Sequence, residues 1–267
     1  MNDYKKNGYK IFRNVVPTST IDEIVGQIKE IADIRLESLG VLPGNTIYDS
    51  LLQINKIDQI AYQSCLKTAQ YLPIFNQLGI SSEILNALKE CFVVKPVLST
   101  RPVLHCVSQA LLLDHGYNFT PPHQDWPNIQ GSIDLAVVWV PFMEVKKEAY
   151  TLQVVPQSHK LGMLPWEITR FGQSIREDDA SFRKMKFIDL EMQRGDLVVF
   201  SGFLVHRTSK TGNKENVRLA ASFRFNNLEE KLFVKRNYPN PYIYTPQREM
   251  VTPNFPTLED INNVFGE

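Results

Sequence analysis

The sequence predicts a mainly β fold with flanking helices, in which an antiparallel sandwich or jelly-roll core stands behind an N-terminal helical layer. Three observations carry this expectation. Up to about residue 95 the apolar residues recur at helical spacing. From about residue 96 the texture changes to short β-branched and aromatic runs broken by turn residues. No long helical pattern separates those runs, so the strands are expected to pair antiparallel and not through βαβ crossovers.

The elements follow in order. Tyr9-Lys10-Ile11-Phe12 alternates as a short strand does. Ser19-Thr20-Ile21-Asp22 reads as a capping box. It opens a helix in which Ile21, Ile24, Val25, Ile28, Ile31 and Ala32 form one stripe, to about Leu39-Gly40. A second helix is expected over Ile57 to Tyr71 and a third from Ser81-Ser82 to Glu90. All three read as packing layers that hold no site. Strands are expected at Val103 to Leu113, Leu135 to Phe142, Thr151 to Val155, Leu197 to Phe200, Leu204 to His206 and Val217 to Phe225. Pro121-Pro122, Pro156, Arg194-Gly195-Asp196 and Thr211-Gly212-Asn213 punctuate them. The charged stretch Glu167 to Lys186 reads as a loop insertion with some helix, and the Tyr-, Pro- and Asn-rich tail after Leu232 as coil wrapping the core.

A chain of 267 residues can bury a sizeable core. It reads as a single domain, with helical support over 1–95, a barrel core over 96–230 and a wrapping tail over 231–267. Lys plus Arg, at 29, equals Asp plus Glu, at 29, which argues against nucleic acid and against acidic membrane surfaces as partners. Cys65, Cys91 and Cys106 show no CxxC spacing, so free thiols in a reducing compartment are expected. The N-terminus leads into no apolar signal-like region and no apolar run is long enough to span a bilayer. Cytoplasmic is the default reading.

The chemistry concentrates in His123-Gln124-Asp125, in His206 about 80 residues later and in Arg218 about a dozen beyond that. Two imidazoles and a carboxylate form the ligand set of a facial-triad iron(II) site, which leaves three cis positions open. His123 and Asp125 lie two apart, so on a strand both face one side. Arg218 stands in an otherwise apolar strand, sharing a face with Ala220 and Ser222. An arginine pointing into a core needs a carboxylate partner, and the distal carboxylate of a keto acid supplies one. Arg224 is expected on the opposite face, exposed or ion-paired.

These residues bring a family into view. Pro122-His123-Gln124-Asp125-Trp126, Val138-Trp139-Val140-Pro141, Val154-Val155-Pro156-Gln157-Ser158-His159-Lys160 and Gly195-Asp196 through His206-Arg207-Thr208 resemble the phytanoyl-CoA dioxygenase family. The opening Asn7-Gly8-Tyr9-Lys10-Ile11-Phe12 resembles its N-terminal strand, so the likeness runs over roughly residues 5 to 228. The resemblance implies a double-stranded β-helix, cupin-like core and an iron(II)- and 2-oxoglutarate-dependent oxygenase that uses dioxygen. It implies His123, Asp125 and His206 as iron ligands, and Arg218 with Thr208 on the C5 carboxylate of 2-oxoglutarate. Gln124 and Trp139 match positions at the cosubstrate pocket, and Gln109, on the strand before the metal pair, is a further polar candidate.

Two departures touch loops and not the ligand set: Gln157 stands where the family usually has glycine, and Ala149-Tyr150 where it has a glycine turn. His159 reads as structural, while His105 and His115 carry no spacing argument. Trp126, with Trp166, Tyr242 and Tyr244, is a candidate lining for a small-molecule substrate. The basic residues are too sparse to hold the phosphates of a CoA thioester. With a carboxylate at Asp125, hydroxylation of an unactivated C–H bond is expected in place of halogenation, succinate and carbon dioxide being released. The alternatives are a protein hydroxylase using the same site and a metal-binding β-barrel or cupin-type enzyme independent of 2-oxoglutarate.

Overall fold

The computed structural model describes residues 3–112, 119–169, 172–214 and 216–239. The N-terminal part runs α1 (Asp3–Asn7), β1 (Tyr9–Phe12), α2 (Thr18–Ser38), α3 (Ile47–Ile57), α4 (Gln59–Ala69), α5 (Pro73–Gly79) and α6 (Ser82–Glu90). The expected stripe of α2 is its buried face: Ile21, Ile24, Ile28 and Ala32 are all closed off from solvent. Its capping box is not there, because Pro17 occupies the N-cap position and makes no side-chain bond. A capping box does open α3, where Thr46 accepts from the Asp49 backbone and the Asp49 side chain accepts from the Thr46 backbone. The helix expected over Ile57 to Tyr71 starts only after Asp58. Extended backbone there ends α3, and the Asp58 carboxylate accepts from Ile60 N and Ala61 N to start α4.

The second part holds β2 (Pro96–Leu98), β3 (Val103–Val107), α7 (Trp126–Ile129), β4 (Ala136–Pro141) and β5 (Leu152–Val154). After these come β6 (Trp166–Thr169), β7 (Gly172–Ile175), β8 (Ile188–Leu190), β9 (Leu197–Ser201), β10 (His206–Thr208), β11 (Arg218–Asn227) and α8 (Lys231–Lys235). The strand expected to reach Leu113 stops at Val107 and gives way to a 3-10 turn over Gln109–Leu111. The expected loop insertion contains a hairpin, β6 paired with β7. In the tail, α8 replaces expected coil, and Tyr242 and Tyr244 lie outside the described residues, as does His115.

Two antiparallel sheets form the core, a jelly-roll sandwich as the sequence leads one to expect. The larger sheet runs β1-β9-β4-β11, and β2 and β3 share the far edge of β11. The smaller sheet runs β10-β5-β8. It is extended at one edge by a reciprocal bridge between His123 and His206, with N–H to O distances of 3.0 and 3.1 Å.

Strand alternation divides the larger sheet into two faces. Val138, Val140, Val199, Leu219, Ala221 and Phe223 pack against the helices, where Phe75 meets Phe142 edge-on and Phe223 at a tilt, each at 5.9 Å. Val137, Trp139, Val198, Phe200 and Ala220 face the smaller sheet's Leu152, Val154 and Leu190. The helical layer therefore backs the sheet, and the inter-sheet space is left for the site.

Both departures from the family's glycines fall on left-handed backbone. Tyr150 has φ 54° and Gln157 φ 68°, a region that costs a residue with Cβ roughly 1–2 kcal/mol. Gln157 is exposed. Gln157→Gly is therefore expected to raise stability by about 0.5–1 kcal/mol, read as a higher urea midpoint at unchanged slope. A lower midpoint would mean that the glutamine side chain contributes more than the strain removes. Tyr150 differs, since its buried hydroxyl accepts from Gln109 N at 3.1 Å and donates to Asn213 O at 2.8 Å.

Candidate metal centre and cosubstrate pocket

His123, Asp125 and His206 converge, all three buried, with one ligand atom from each within 4.8 Å of the others. The local folding explains why. The His123–His206 bridge puts the two imidazoles side by side, ring centroids 4.1 Å apart, at the edge of the smaller sheet. Asp125 stands at the N-cap of α7, and its carboxylate makes no capping bond there, so it remains available to the site.

The hydrogen bonds fix which atoms face inward. Nδ1 of His123 lies 2.9 Å from the Pro121 carbonyl, and Nδ1 of His206 lies 2.9 Å from the Leu204 carbonyl. A carbonyl can only accept, so each Nδ1 carries the proton and each Nε2 keeps its lone pair. Those nitrogens sit 3.8 Å from Asp125, His123 against Oδ1 and His206 against Oδ2. Oδ2 is buried and has no hydrogen-bond partner among the described residues. Burial pushes both histidines down, His206 to about 3, so both are neutral at physiological pH. Burial raises the Asp125 carboxyl, but the opposing effects, led by the charge of Arg224, outweigh it and hold it below the usual carboxylate range. Two neutral imidazoles, one carboxylate and an unsatisfied buried oxygen fit a divalent first-row cation.

Arg218 opens β11 beside this centre and is 1% exposed. Its Nη1 donates to the Tyr150 carbonyl and its Nη2 to Thr208 Oγ1 at 3.4 Å, while Nε has no partner among the described residues. No carboxylate pairs with it among the described residues, and burial lowers its pKa to about 10. A guanidinium shut away with only neutral neighbours is incomplete without an anion. Trp139 borders it, with the guanidinium carbon 5.5 Å from the ring centroid.

The remaining expected residues fall differently. Gln124 is buried and its amide is taken up by loop backbone: Nε2 donates to Gly162 O and Phe203 O, and Oε1 accepts from Leu164 N. It braces the loops around the centre and has no free donor for a cosubstrate. Gln109 lies past β3 on the 3-10 turn, half-buried, with its backbone held by the Tyr150 hydroxyl. Trp126 stacks on Phe203 at 5.1 Å and donates from Nε1 to Ser132 O, which gives it a packing place next to the centre. His159 meets the Lys5 carbonyl at 3.3 Å, away from the metal set.

Arg224 overturns one expectation. Residues 218, 220, 222 and 224 share parity, so Arg224 lies on the same face of β11 as Arg218 and not on the opposite one. Its Nη2 donates to Asp125 Oδ1 at 3.1 Å and its Nη1 to Ser222 Oγ at 3.2 Å. His105, opposite Ala220 on β3, also faces inward and places Nε2 at 2.9 Å from Ser222 Oγ. Counting by twos from Arg218 was the signal that would have found Arg224.

A jelly roll that carries His-x-Asp and a later His beside a buried, acid-free arginine has the build of an iron(II)- and 2-oxoglutarate-dependent dioxygenase. Comparisons with known proteins agree. The sequence profile of the family described as phytanoyl-CoA dioxygenase matches residues 4–215, which takes in all three candidate ligands. The chain belongs to that family. A protein of Caenorhabditis elegans described as a probable phytanoyl-CoA dioxygenase is 24% identical over 246 residues, 84% of this chain and 73% of that protein.

Solved structures share the fold. The epimerase SnoN, in complex with Fe3+, alpha ketoglutarate and nogalamycin RO, superposes with a TM-score of 0.58 at 14% identity, over 84% of this chain and 81% of that one. The alpha-ketoglutarate-dependent carbocyclase SnoK from nogalamycin biosynthesis gives 0.56 at 13%, over 91% and 92%. EctD from S. alaskensis gives 0.55 at 12%, over 85% and 76%. No helix among the described residues is long and apolar enough to cross a membrane.

Proposed function

We propose that the chain hydroxylates an unactivated C–H bond of a small organic molecule. In this reading His123, Asp125 and His206 hold iron(II), and Arg218 with Thr208 holds the C5 carboxylate of 2-oxoglutarate. Iron(II) with 2-oxoglutarate and dioxygen supplies, when bound, the oxidising power to break such a bond, and succinate and carbon dioxide are released. The observation that carries the reading is Arg218: a buried guanidinium, with no acid partner among the described residues, on the strand that flanks the three ligands.

The protein's own residues divide the work. Neutral His123 and His206 present Nε2 while their Nδ1 protons stay tied to backbone carbonyls. Arg218 orients the keto acid through its far carboxylate, and Trp139 closes the wall beside it. Leu152, Val154, Leu190, Val198 and Phe200 keep the inter-sheet space apolar, which excludes water from the reacting centre.

The test needs no knowledge of the substrate. Iron(II) and then 2-oxoglutarate are added without oxygen to metal-free protein, and the visible metal-to-ligand charge-transfer band of a chelated keto acid is sought. The band is expected in the wild type and lost in His206→Ala. Iron binding without a band would remove the 2-oxoglutarate step and favour a metal-binding jelly roll.

A further inference from the structure

We infer that Arg224 is a positioning residue that holds the Asp125 carboxylate by one oxygen, so that only the other is presented to the metal. This rests on the metal site proposed above and deepens it. Asp125 is 3% exposed, and its two oxygens have different surroundings. Oδ1 accepts from Arg224 Nη2 at 3.1 Å. Oδ2, equally enclosed, accepts from nothing and lies against His206 Nε2 at 3.8 Å. A buried carboxylate oxygen without a donor is costly unless a cation completes it.

Arg224 is itself held. Its Nη1 donates to Ser222 Oγ at 3.2 Å, and that hydroxyl meets His105 Nε2 at 2.9 Å. Strand alternation on β11 aims Ser222 and Arg224 at the same space, and the β3 pairing brings His105 beside them. The guanidinium is thus fixed at one end by a side chain that binds no metal and at the other by Asp125. Without Arg224, nothing among the described residues donates to Oδ1. The carboxylate is then free to turn or to offer both oxygens, and each added oxygen takes a position that the cosubstrates need.

Cobalt(II), added without oxygen, is the probe, because its visible bands report coordination number independently of turnover. Arg224→Met is expected to bind cobalt(II) about 10-fold or more weakly, within the range seen when an outer partner of a metal ligand is removed. Its cobalt spectrum is expected to change in intensity, and addition of 2-oxoglutarate to perturb that spectrum less than in the wild type. Arg224→Lys, which restores a cationic donor, is expected to recover part of the affinity. Should Arg224→Met fail to fold, Arg224→Leu, which likewise carries no donor, is read in the same way. Wild-type affinity together with a wild-type cobalt spectrum in a folded neutral variant overturns the inference. Wild-type protein that gives no spectral response to cobalt(II) overturns the metal site itself, so the two failures are distinct.

Discussion

Arg218→Met is expected to abolish 2-oxoglutarate binding while metal binding stays at the wild-type level. The wild-type guanidinium can give a carboxylate two charge-assisted hydrogen bonds in a buried place, and each such bond contributes about 1.5–3 kcal/mol. Losing both weakens the cosubstrate by at least ~100-fold in Kd. The proposed metal ligands come from other segments of the chain, so cobalt(II) affinity has no reason to move. Thermal unfolding gives a second reading. Saturating 2-oxoglutarate with metal raises the wild-type Tm, since a ligand at 100 times its Kd stabilises by about 2.7 kcal/mol. That rise disappears in Arg218→Met. Without ligand the variant stays within about 1 kcal/mol of wild type, because the side chain removed was a buried charge lacking an acid partner among the described residues. Unchanged 2-oxoglutarate affinity would show that the arginine serves the fold and that the keto acid binds elsewhere.

Asp125→Ala is expected to lose both metal binding and stability, and the second loss is the more diagnostic. The substitution removes one of the three proposed ligands and strands Arg224, whose side chain is 14% exposed, beside a cavity. Breaking one side of a buried pair costs about 3–5 kcal/mol, with the lower end apt for a group that keeps some contact with water. The double variant Asp125→Ala/Arg224→Met, which removes both charges, is expected to recover part of that loss. Urea unfolding of the two single variants and the double variant measures the coupling. Additive losses would mean that the 3.1 Å contact contributes nothing measurable to the fold.

The candidate metal set was legible in the sequence because its grammar is short. His123 and Asp125 are two residues apart, and the run from Gly195 to His206 ends on a polar residue after apolar strand residues. The helical stripe of α2 and the strands β4, β9 and β11 were legible through periodicity for the same reason. Helix boundaries were less so. Helix α3 was not read from the sequence, and the helix expected from Ile57 begins only after Asp58, whose carboxylate caps its first turn. Alternation also ran on past Val107, where the chain turns so that Gln109 N meets the Tyr150 hydroxyl, a partner 41 positions away.

By itself, the sequence determined the candidate ligand types, the order in which they occur, the arginine on a late strand and the two-part layout of helices before strands. These depend on local spacing, which the chain carries wherever it folds. Tertiary structure decided what each side chain meets. It put Arg224 on Asp125, committed the Gln124 amide to three backbone groups, and left Asp125 Oδ2 and Arg218 Nε without partners among the described residues. It also set which strands fall in the larger sheet and which in the smaller. Those outcomes arise from contacts between segments distant in sequence, where the pairing of β11 with β3 and β4 sets the neighbours, and no local period encodes that register.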